Sequence, residues 1–525
     1  MAHTAAQHPG SPDGPTPPRI SGGHLSAELH NEVEHFTRRL RRTVWLKLRA
    51  AQVVLVASAV LFVATVHYDQ RVTSFLRGET DLFGNLRFLP THPPDPRVLS
   101  HINFKLVHEK LLPEWVAAEG SAGMYRDPYQ AEAAFQALLA EVGRDPNLDA
   151  LLQELRLRLV TRQFIDRAER IKYLLWAWND YLQRNGQRFW VRGTAHRSTY
   201  NAFFSLKTYD LLARPQVQVA GQQYRISLVT RIDRRDVREP YLGAASKNEN
   251  TAFVVVDRLH DFVIDHLWPV LDGEAGALRD PVDAAFAEAV VFEALVHLDE
   301  ASLRPVATTA HHRRAMARAI DGINRRQSCS GSYVAGSIPL AGLEADVLEQ
   351  VQDIAERSWL DACPAVTLVE AEVFASSTRA LATTEDLAEA LGTLAAWLAQ
   401  GVTVHEVRHM ADSDLADGLD QPLPCARCPA SMDTEVRAEV SAYLSTLAWS
   451  GSPATALFQA CHSVRDDDGA HGRALNFLLA QLDVSCTRSP PPFLADRARA
   501  LERELFERSQ PVRLGADFPQ RVLLP

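Results

Sequence analysis

The 525-residue sequence predicts a mainly α-helical protein with a small β component and a single membrane-spanning helix near its N-terminus. Three observations support this prediction. Long segments, of which residues 148–183 are the clearest, carry apolar side chains at helical spacing. Residues 216–232 instead alternate around Ala220-Gly221, which is typical of a β-hairpin. An uncharged apolar run occupies residues 50–66.

The first 66 residues have the pattern of a single-pass membrane anchor. Residues 1–49 begin as a tail rich in Pro, Gly and Ser, which we expect to be disordered, and end in a basic cluster. The run 50–66 follows, between Trp45 and Tyr68 as interfacial anchors. A core helix is rarely uncharged on all sides, and a cleaved signal peptide begins nearer to the N-terminus. Because the cations precede the run, we expect a cytoplasmic N-terminus and an extracytoplasmic bulk, which in a bacterium means the inner membrane and the periplasm.

The chain beyond the anchor divides into a stalk and a helical region. Residues 67–99 are predicted to form the stalk, because the segment 88–96 is rich in proline and extended. Residues 100–300 are predicted to form an α-rich region that contains the β-hairpin. Further predicted elements are a buried strand and two helices, over residues 251–257, 283–303 and 343–360.

The stretch His405-Glu406-Val407-Arg408-His409 has the pattern H-E-x-x-H and carries the strongest functional signal. On a helix, positions i and i+4 lie one above the other, so His405 and His409 can direct two imidazole nitrogens at one metal ion. Glu406 is then placed to take a proton from a water that the metal activates. A third protein ligand would leave the fourth position open, as in a catalytic zinc site.

The residues before the motif predict a buried helix. Thr383 and Thr384 are candidate N-caps, and Gly401 either bends this helix or divides it in two. Its apolar face repeats at steps of three and four, through Leu387, Leu391, Leu394, Leu398 and Val402.

The third ligand is expected on a second amphipathic helix that begins near Thr434. Glu435 and Glu439 lie one turn apart on it, so both can face the metal. Two histidines on one helix and a glutamate on the next resemble the zincin metallopeptidases of the glutamate-ligand branch. The branch with a third histidine does not fit, because its diagnostic positions hold Asp412 and Leu415.

This resemblance covers the last third of the chain and implies a zincin-like domain over residues 301–525. It implies Zn²⁺ as cofactor and a peptide or protein as substrate. Glu439 is the favoured third ligand, since Glu439-Val-Ser-Ala matches the E-x-x-A pattern of the branch; Glu435-Val-Arg-Ala matches it too and is the alternative. Zincins often hold substrate on the edge strand of a small sheet, and residues 366–375 are the candidate for this strand or for a core strand.

Other polar residues are candidates for supporting roles. Asp412 follows His409 by three residues and is predicted to accept a hydrogen bond from a ligand histidine; a helix-end carboxylate without a role is the alternative. The group that stabilises the transition state is not identified by the sequence, and Tyr443, His462 and His471 are merely near the motif.

Cysteine usage and net charge bear on the compartment and on the partners. All six cysteines lie beyond residue 328, on the predicted outer side, which indicates disulfides. We expect Cys425 and Cys428 to form a local disulfide between the two ligand helices, with a thiol–zinc site as the alternative. With a net charge of −10 and no basic stripe outside the anchor region, nucleic-acid binding has no support.

Two functional classes follow from the sequence. The first is a membrane-anchored zinc metallopeptidase. The second is a non-catalytic envelope scaffold or binding protein with a structural or degenerate metal site, because about 300 residues precede the motif's domain, more than a minimal peptidase needs. No pattern indicates an oligomeric state.

Overall fold

The computed structural model divides the chain into two compact units, residues 1–84 and 85–525. The described residues of the first unit lie between 34 and 58 and are helical; they include 51–56 and 58 of the predicted membrane span. The rest of that span, the tail at 1–33, residues 67–91 of the stalk and the helix at 343–360 lie outside the described residues. The second unit is described from 92 to 523, except for residues 121–126, 163–167, 198–201, 234–240, 247–250, 273–279, 328–367, 416–422 and 465–466.

The second unit is mainly helical with a smaller sheet, which confirms the predicted fold class at this level. Its first helices often start at Asp-Pro pairs, as at Asp127 and Asp145. Each aspartate accepts hydrogen bonds from backbone N–H groups of the first turn, and the following proline needs no partner there. The helices are α1 (Pro96–Ser100), α2 (Phe104–Leu106, the π-turn Val107–Leu111 and Leu112–Gly120), α3 (Pro128–Val142), α4 (Pro146–Val160) and α5 (Ala168–Arg184).

A mixed sheet follows these helices. Its strands are β1 (Phe189–Arg197), β2 (Ala202–Ala213), β3 (Gln216–Val219), β4 (Gln222–Arg231), β5 (Gly243–Ser246), β6 (Thr251–Val255) and β7 (Val512–Leu514). The predicted hairpin is confirmed: β3 and β4 pair antiparallel, and Ala220 and Gly221 turn between them with positive φ. Strand β6 pairs parallel with β4 and antiparallel with β5. The C-terminal β7 pairs with β3, so the end of the chain closes onto the sheet.

The remaining helices surround the motif. They are α6 (Val256–Phe262, the π-turn Val263–Leu267 and Trp268–Leu271), α7 (Pro281–His297), α8 (Glu300–Gln327), α9 (Leu368–Ala382), α10 (Leu387–Leu415), α11 (Thr434–Trp449), α12 (Pro453–Val464), α13 (Ala470–Leu482) and α14 (Leu494–Phe506). Helix α10 carries the H-E-x-x-H motif and runs without interruption through Gly401.

The strand predicted at residues 366–375 is wrong. From Leu368 onward this segment is helical, as α9. Its buried residues, Phe374, Ser377, Thr378 and Leu381, recur at steps of three, one and three, which is helical spacing. The β-branched residues at its start had suggested a strand, but the tertiary packing of one helical face outweighs that preference.

Three element boundaries also differ from the predictions. The helix predicted over residues 148–183 is two helices, because α4 ends at Val160 and Arg162 adopts a positive φ. The helix predicted over 283–303 ends at His297, where Leu298 is extended, and α8 begins at Glu300. The strand predicted over 251–257 ends at Val255, and α6 continues from it.

Two large hydrophobic cores organise the second unit. The smaller core lies between α1–α5 and the β1–β2 end of the sheet. The larger core surrounds α10 and draws residues from both sides of the predicted domain boundary at 300/301. Among the described residues, α10 is the one helix long and apolar enough to cross a bilayer, but 78% of its most apolar window is buried, as in the core helix of a globular protein.

Candidate metal centre

The two motif histidines meet a glutamate from the next helix. The Nε2 atoms of His405 and His409 lie 3.2 Å apart. His405 Nε2 is 3.2 Å from Glu439 Oε2, and His409 Nε2 is 3.4 Å from Glu439 Oε1. All three side chains are mostly buried. Two helices, α10 and α11, thus bring three potential ligand atoms to one point.

The spacing of these atoms fits a tetrahedral zinc ion. Bonds of 2.0–2.1 Å at tetrahedral angles separate ligand atoms by about 3.3–3.4 Å. The Oε2 atom of Glu439 is buried but accepts no hydrogen bond of acceptable geometry within the described residues. Two imidazole nitrogens are nevertheless close to it, His405 Nε2 at 3.2 Å and His471 Nδ1 at 2.9 Å. A buried carboxylate oxygen without a hydrogen bond is a group that a bound cation would satisfy.

The local electrostatics favour a positive charge at this point. Burial lowers the pKa of His405 to about 4, so its ring is neutral at pH 7. Burial also disfavours a charge on His409, but the carboxylate of Glu439 outweighs it and raises the pKa of His409 to about 9. Burial of Glu439 disfavours its charge, but the neighbouring charge of His409 outweighs this and lowers the pKa of Glu439. A bound cation would take the place of the proton that Glu439 now stabilises on His409.

Helix α11 aims Glu439, rather than Glu435, at the histidines. Asp433 caps this helix by accepting a hydrogen bond from the Val436 N–H (2.8 Å). Glu435 lies in the exposed first turn, and Glu439 lies one turn further into the protein, beside His405. Of the two candidate third ligands, the structure therefore places Glu439 in the cluster.

Glu406 lies beside the cluster in an unusually restrictive environment. Its side chain is buried, and this burial raises its pKa to about 7, with His409 opposing the shift. Strand β5 packs directly against the Glu406 side chain. A Cβ added to Gly243 would lie 2.9 Å from Glu406 Oε1 and 2.7 Å from a methyl group of Val402. Only glycine allows the backbone of β5 to pass this close to the carboxylate.

Of the three nearby residues named from the sequence, the structure brings two to the centre. His471, in the first turn of α13, has its Nδ1 2.9 Å from Glu439 Oε2, and its side chain is 47% exposed. The ring of Tyr443 packs against that of His405, with centroids 4.7 Å apart, and burial raises its pKa, so its hydroxyl stays protonated. His462 lies elsewhere, against Asp283.

A buried charge network lies behind the ligands. Arg408, inside the motif, is fully buried and donates to Ser445 Oγ (3.0 Å) and to the Gln510 carbonyl (2.6 Å). It therefore ties α10 to α11 and to the segment that leads into β7. No pattern in the sequence distinguished Arg408 from a solvated arginine.

Asp412 belongs to this network and has partners other than a ligand histidine. Its carboxylate accepts hydrogen bonds from Arg508 and from the Ser441 hydroxyl. Arg508 also donates to Glu502 (3.5 Å), which lies 3.8 Å from Arg408. The network thus contains two cations and two anions, and it joins α10 and α11 to α14.

The two ligand helices are connected by a disulfide-closed loop. Cys425 is bonded to Cys428, as predicted, and Cys461 to Cys486. The Ala426 N–H donates to the Leu505 carbonyl (2.8 Å), so the loop is fastened to α14. Cys329 and Cys363 lie outside the described residues.

No protein-family model, no curated protein and no solved structure matches this chain. The function is therefore argued from the geometry of the cluster and from the chemistry of its residues.

The charge network generates a stability prediction. Arg508→Ala would leave Asp412 and Glu502 buried with fewer compensating charges, so we expect a loss of about 3–5 kcal/mol in the free energy of unfolding. The control is Arg427→Ala, which breaks an exposed pair with Glu504 and should cost less than about 1 kcal/mol. Denaturant unfolding of the full chain measures both, and equal losses would show that the network contributes no more than a surface pair.

The contact of β5 with Glu406 generates a second prediction. In Gly243→Ala the new methyl group must displace the Glu406 carboxylate, so we expect any hydrolytic activity that depends on Glu406 to fall without loss of metal binding. Gly401→Ala, on the helix that carries Glu406, is the control, because its Cβ would meet other atoms no closer than 3.8 Å. It should leave activity intact. Equal activities in the two variants would contradict a role for this contact.

Proposed function

We propose that the protein is a membrane-anchored, extracytoplasmic zinc-dependent metallopeptidase. The observation that carries the proposal is the convergence of His405, His409 and Glu439 at zinc-ligand spacing, with the buried carboxylate of Glu406 beside them. The resemblance of the motif and its downstream glutamate to the zincins supports the same reaction class.

His405, His409 and Glu439 would hold the metal. When bound there, zinc supplies Lewis acidity for a water molecule and for the substrate carbonyl. Glu406 accepts a proton from the attacking water and passes it to the leaving amine nitrogen; a pKa near 7 suits both transfers. Tyr443 and His471 are the candidate donors to the oxygen that gains negative charge, since both lie at the cluster.

The position of β5 supports a peptide substrate. Among the described strands, β5 pairs with β6 alone, and its Gly243 lies directly against Glu406. An extended peptide that adds to the other edge of β5 would run past the general base, with its main chain held by hydrogen bonds. This strand replaces the segment 366–375, from which the sequence had predicted the substrate strand.

The proposed location depends on the first 66 residues and on the cysteines. The cations precede the apolar run 50–66, which favours a cytoplasmic N-terminus and an outer C-terminal part. Two disulfides in that part are typical of an oxidising compartment.

A second candidate function is favoured by the position of His471. With its Nδ1 2.9 Å from Glu439, His471 can act as a fourth ligand, and four protein ligands make a closed, structural site. The protein would then be an envelope scaffold that does not hydrolyse peptides. His471→Ala separates the two functions, because an enzyme keeps its zinc in this variant and a closed site loses most of its affinity.

The proposal is tested by a series of variants at the centre. Alanine at His405 or His409 should remove one equivalent of zinc together with peptide hydrolysis. Glu406→Gln should keep that zinc and lose the roughly 10²–10⁴-fold that general-base catalysis supplies, or more. Zinc is counted by mass spectrometry, and hydrolysis is followed with a fluorogenic peptide library.

The two glutamates provide the matched comparison. Glu439→Ala should behave like the histidine variants, and Glu435→Ala should retain zinc, with an affinity loss of at most the roughly 10–100-fold of an indirect contact. Loss of zinc in Glu435→Ala together with retention of zinc in Glu439→Ala would assign the third ligand to Glu435. No change of zinc content in a His405→Ala, His409→Ala variant would show that the cluster binds no zinc.

The topology is tested with reporter fusions. Alkaline phosphatase, which is active only outside the cytoplasm, should be active when fused after residue 525 and inactive when fused after residue 49. A C-terminal fusion that is inactive as phosphatase, together with a fluorescent cytoplasmic reporter at the same point, would overturn the proposed orientation.

A further inference from the structure

A second cluster of metal-ligating side chains lies outside the candidate centre. It consists of His266 from the π-turn of α6, Asp283 from the first turn of α7 and His462 from the last turn of α12. One ligand atom from each residue lies within 4.8 Å of the others. The cluster shares no residue with the H-E-x-x-H site and is formed by three different helices.

The geometry directs two imidazoles and one carboxylate at a common region. His462 Nε2 lies 2.7 Å from Asp283 Oδ1, and the rings of His266 and His462 are stacked with centroids 4.1 Å apart. Asp283 forms its ion pair with His462, and the imidazole of His266 forms no ion pair among the described residues. Within the described residues, the His266 ring makes no hydrogen bond and only packs against Phe262 and His462.

The cluster is surrounded by aromatic side chains. Phe262 and Phe458 pack edge-on against the His462 ring. A cluster of polar groups inside an aromatic shell is stabilised when one ion satisfies all of them.

We propose that His266, Asp283 and His462 form a second zinc site, which joins α6, α7 and α12. Two histidines and one carboxylate are borderline-soft and hard donors of the kind that zinc binds. Tetrahedral zinc needs ligand atoms about 3.3 Å apart. The three ligand atoms lie within 4.8 Å of one another, so small side-chain rotations bring them to that separation. The ion would link residue 266 to residue 462, which are far apart in sequence, and would act as a cross-link in the fold.

The test counts zinc in the full-length chain. The wild type should bind two zinc ions, and His405→Ala, His409→Ala should still bind one. Adding His266→Phe to that variant should remove the last ion, because phenylalanine keeps the ring packing but has no donor atom. His266→Phe alone should lose one ion and retain hydrolysis. His196→Phe is the matched control, a histidine that stacks on Phe203 in the β1–β2 hairpin, and should change neither count.

Thermal unfolding gives a second measurement. In the His405→Ala, His409→Ala background, added zinc should raise the melting temperature, and Asp283→Asn, which preserves the shape of the side chain, should abolish that rise. The proposal is overturned if this background binds no zinc and shows no zinc-dependent rise, or if His266→Phe and Asp283→Asn leave the zinc count unchanged. A failure of hydrolysis alone bears on the H-E-x-x-H centre and not on this site.

Discussion

The geometry of the candidate metal centre depends on the buried ion-pair network of Arg408, Asp412, Glu502 and Arg508. Two helices cross at the centre, and a ligand triangle with sides of 3.2–3.4 Å tolerates little sliding between them. Apolar packing alone is poorly directional, whereas a buried charge that loses its partner is strongly destabilising. Because Arg408 and Asp412 flank His409 and Arg508 contacts Ser441 two residues after Glu439, the network sets the register of α10 against α11.

The sheet completes the centre from the other side. Helix α10 is buried against β5 and β6, and Gly243 brings the backbone of β5 onto Glu406. This contact contributes to the burial of the carboxylate, and burial raises its pKa to about 7. Packing in the larger core thus influences the proposed proton transfers through Gly243, which has no side chain and allows the close approach of β5.

The sequence predicts the local parts of this arrangement and misses the distant ones. The two histidines share a helix face because of a spacing of four, which could be argued from the chain alone. Glu439 was favoured through the resemblance to the E-x-x-A pattern, which Glu435 matches as well. Gly243 and Arg508 reach the centre from elements far away in sequence, and no short pattern marks them. Asp412 was predicted to contact a histidine, but the distant Arg508 determines its partners. The segment 366–375 was misassigned because its β-branched residues prefer strands, while one helical face is buried.

The most direct test of the central claim is a crystal structure of the zinc-loaded protein with anomalous diffraction recorded at the zinc edge. We expect an anomalous peak bonded to His405 Nε2, His409 Nε2 and the Glu439 carboxylate at about 2.0–2.2 Å, with one position left for water. A peak that His471 completes as fourth ligand would support the structural site instead. No peak between these residues in crystals grown with excess zinc would contradict the account.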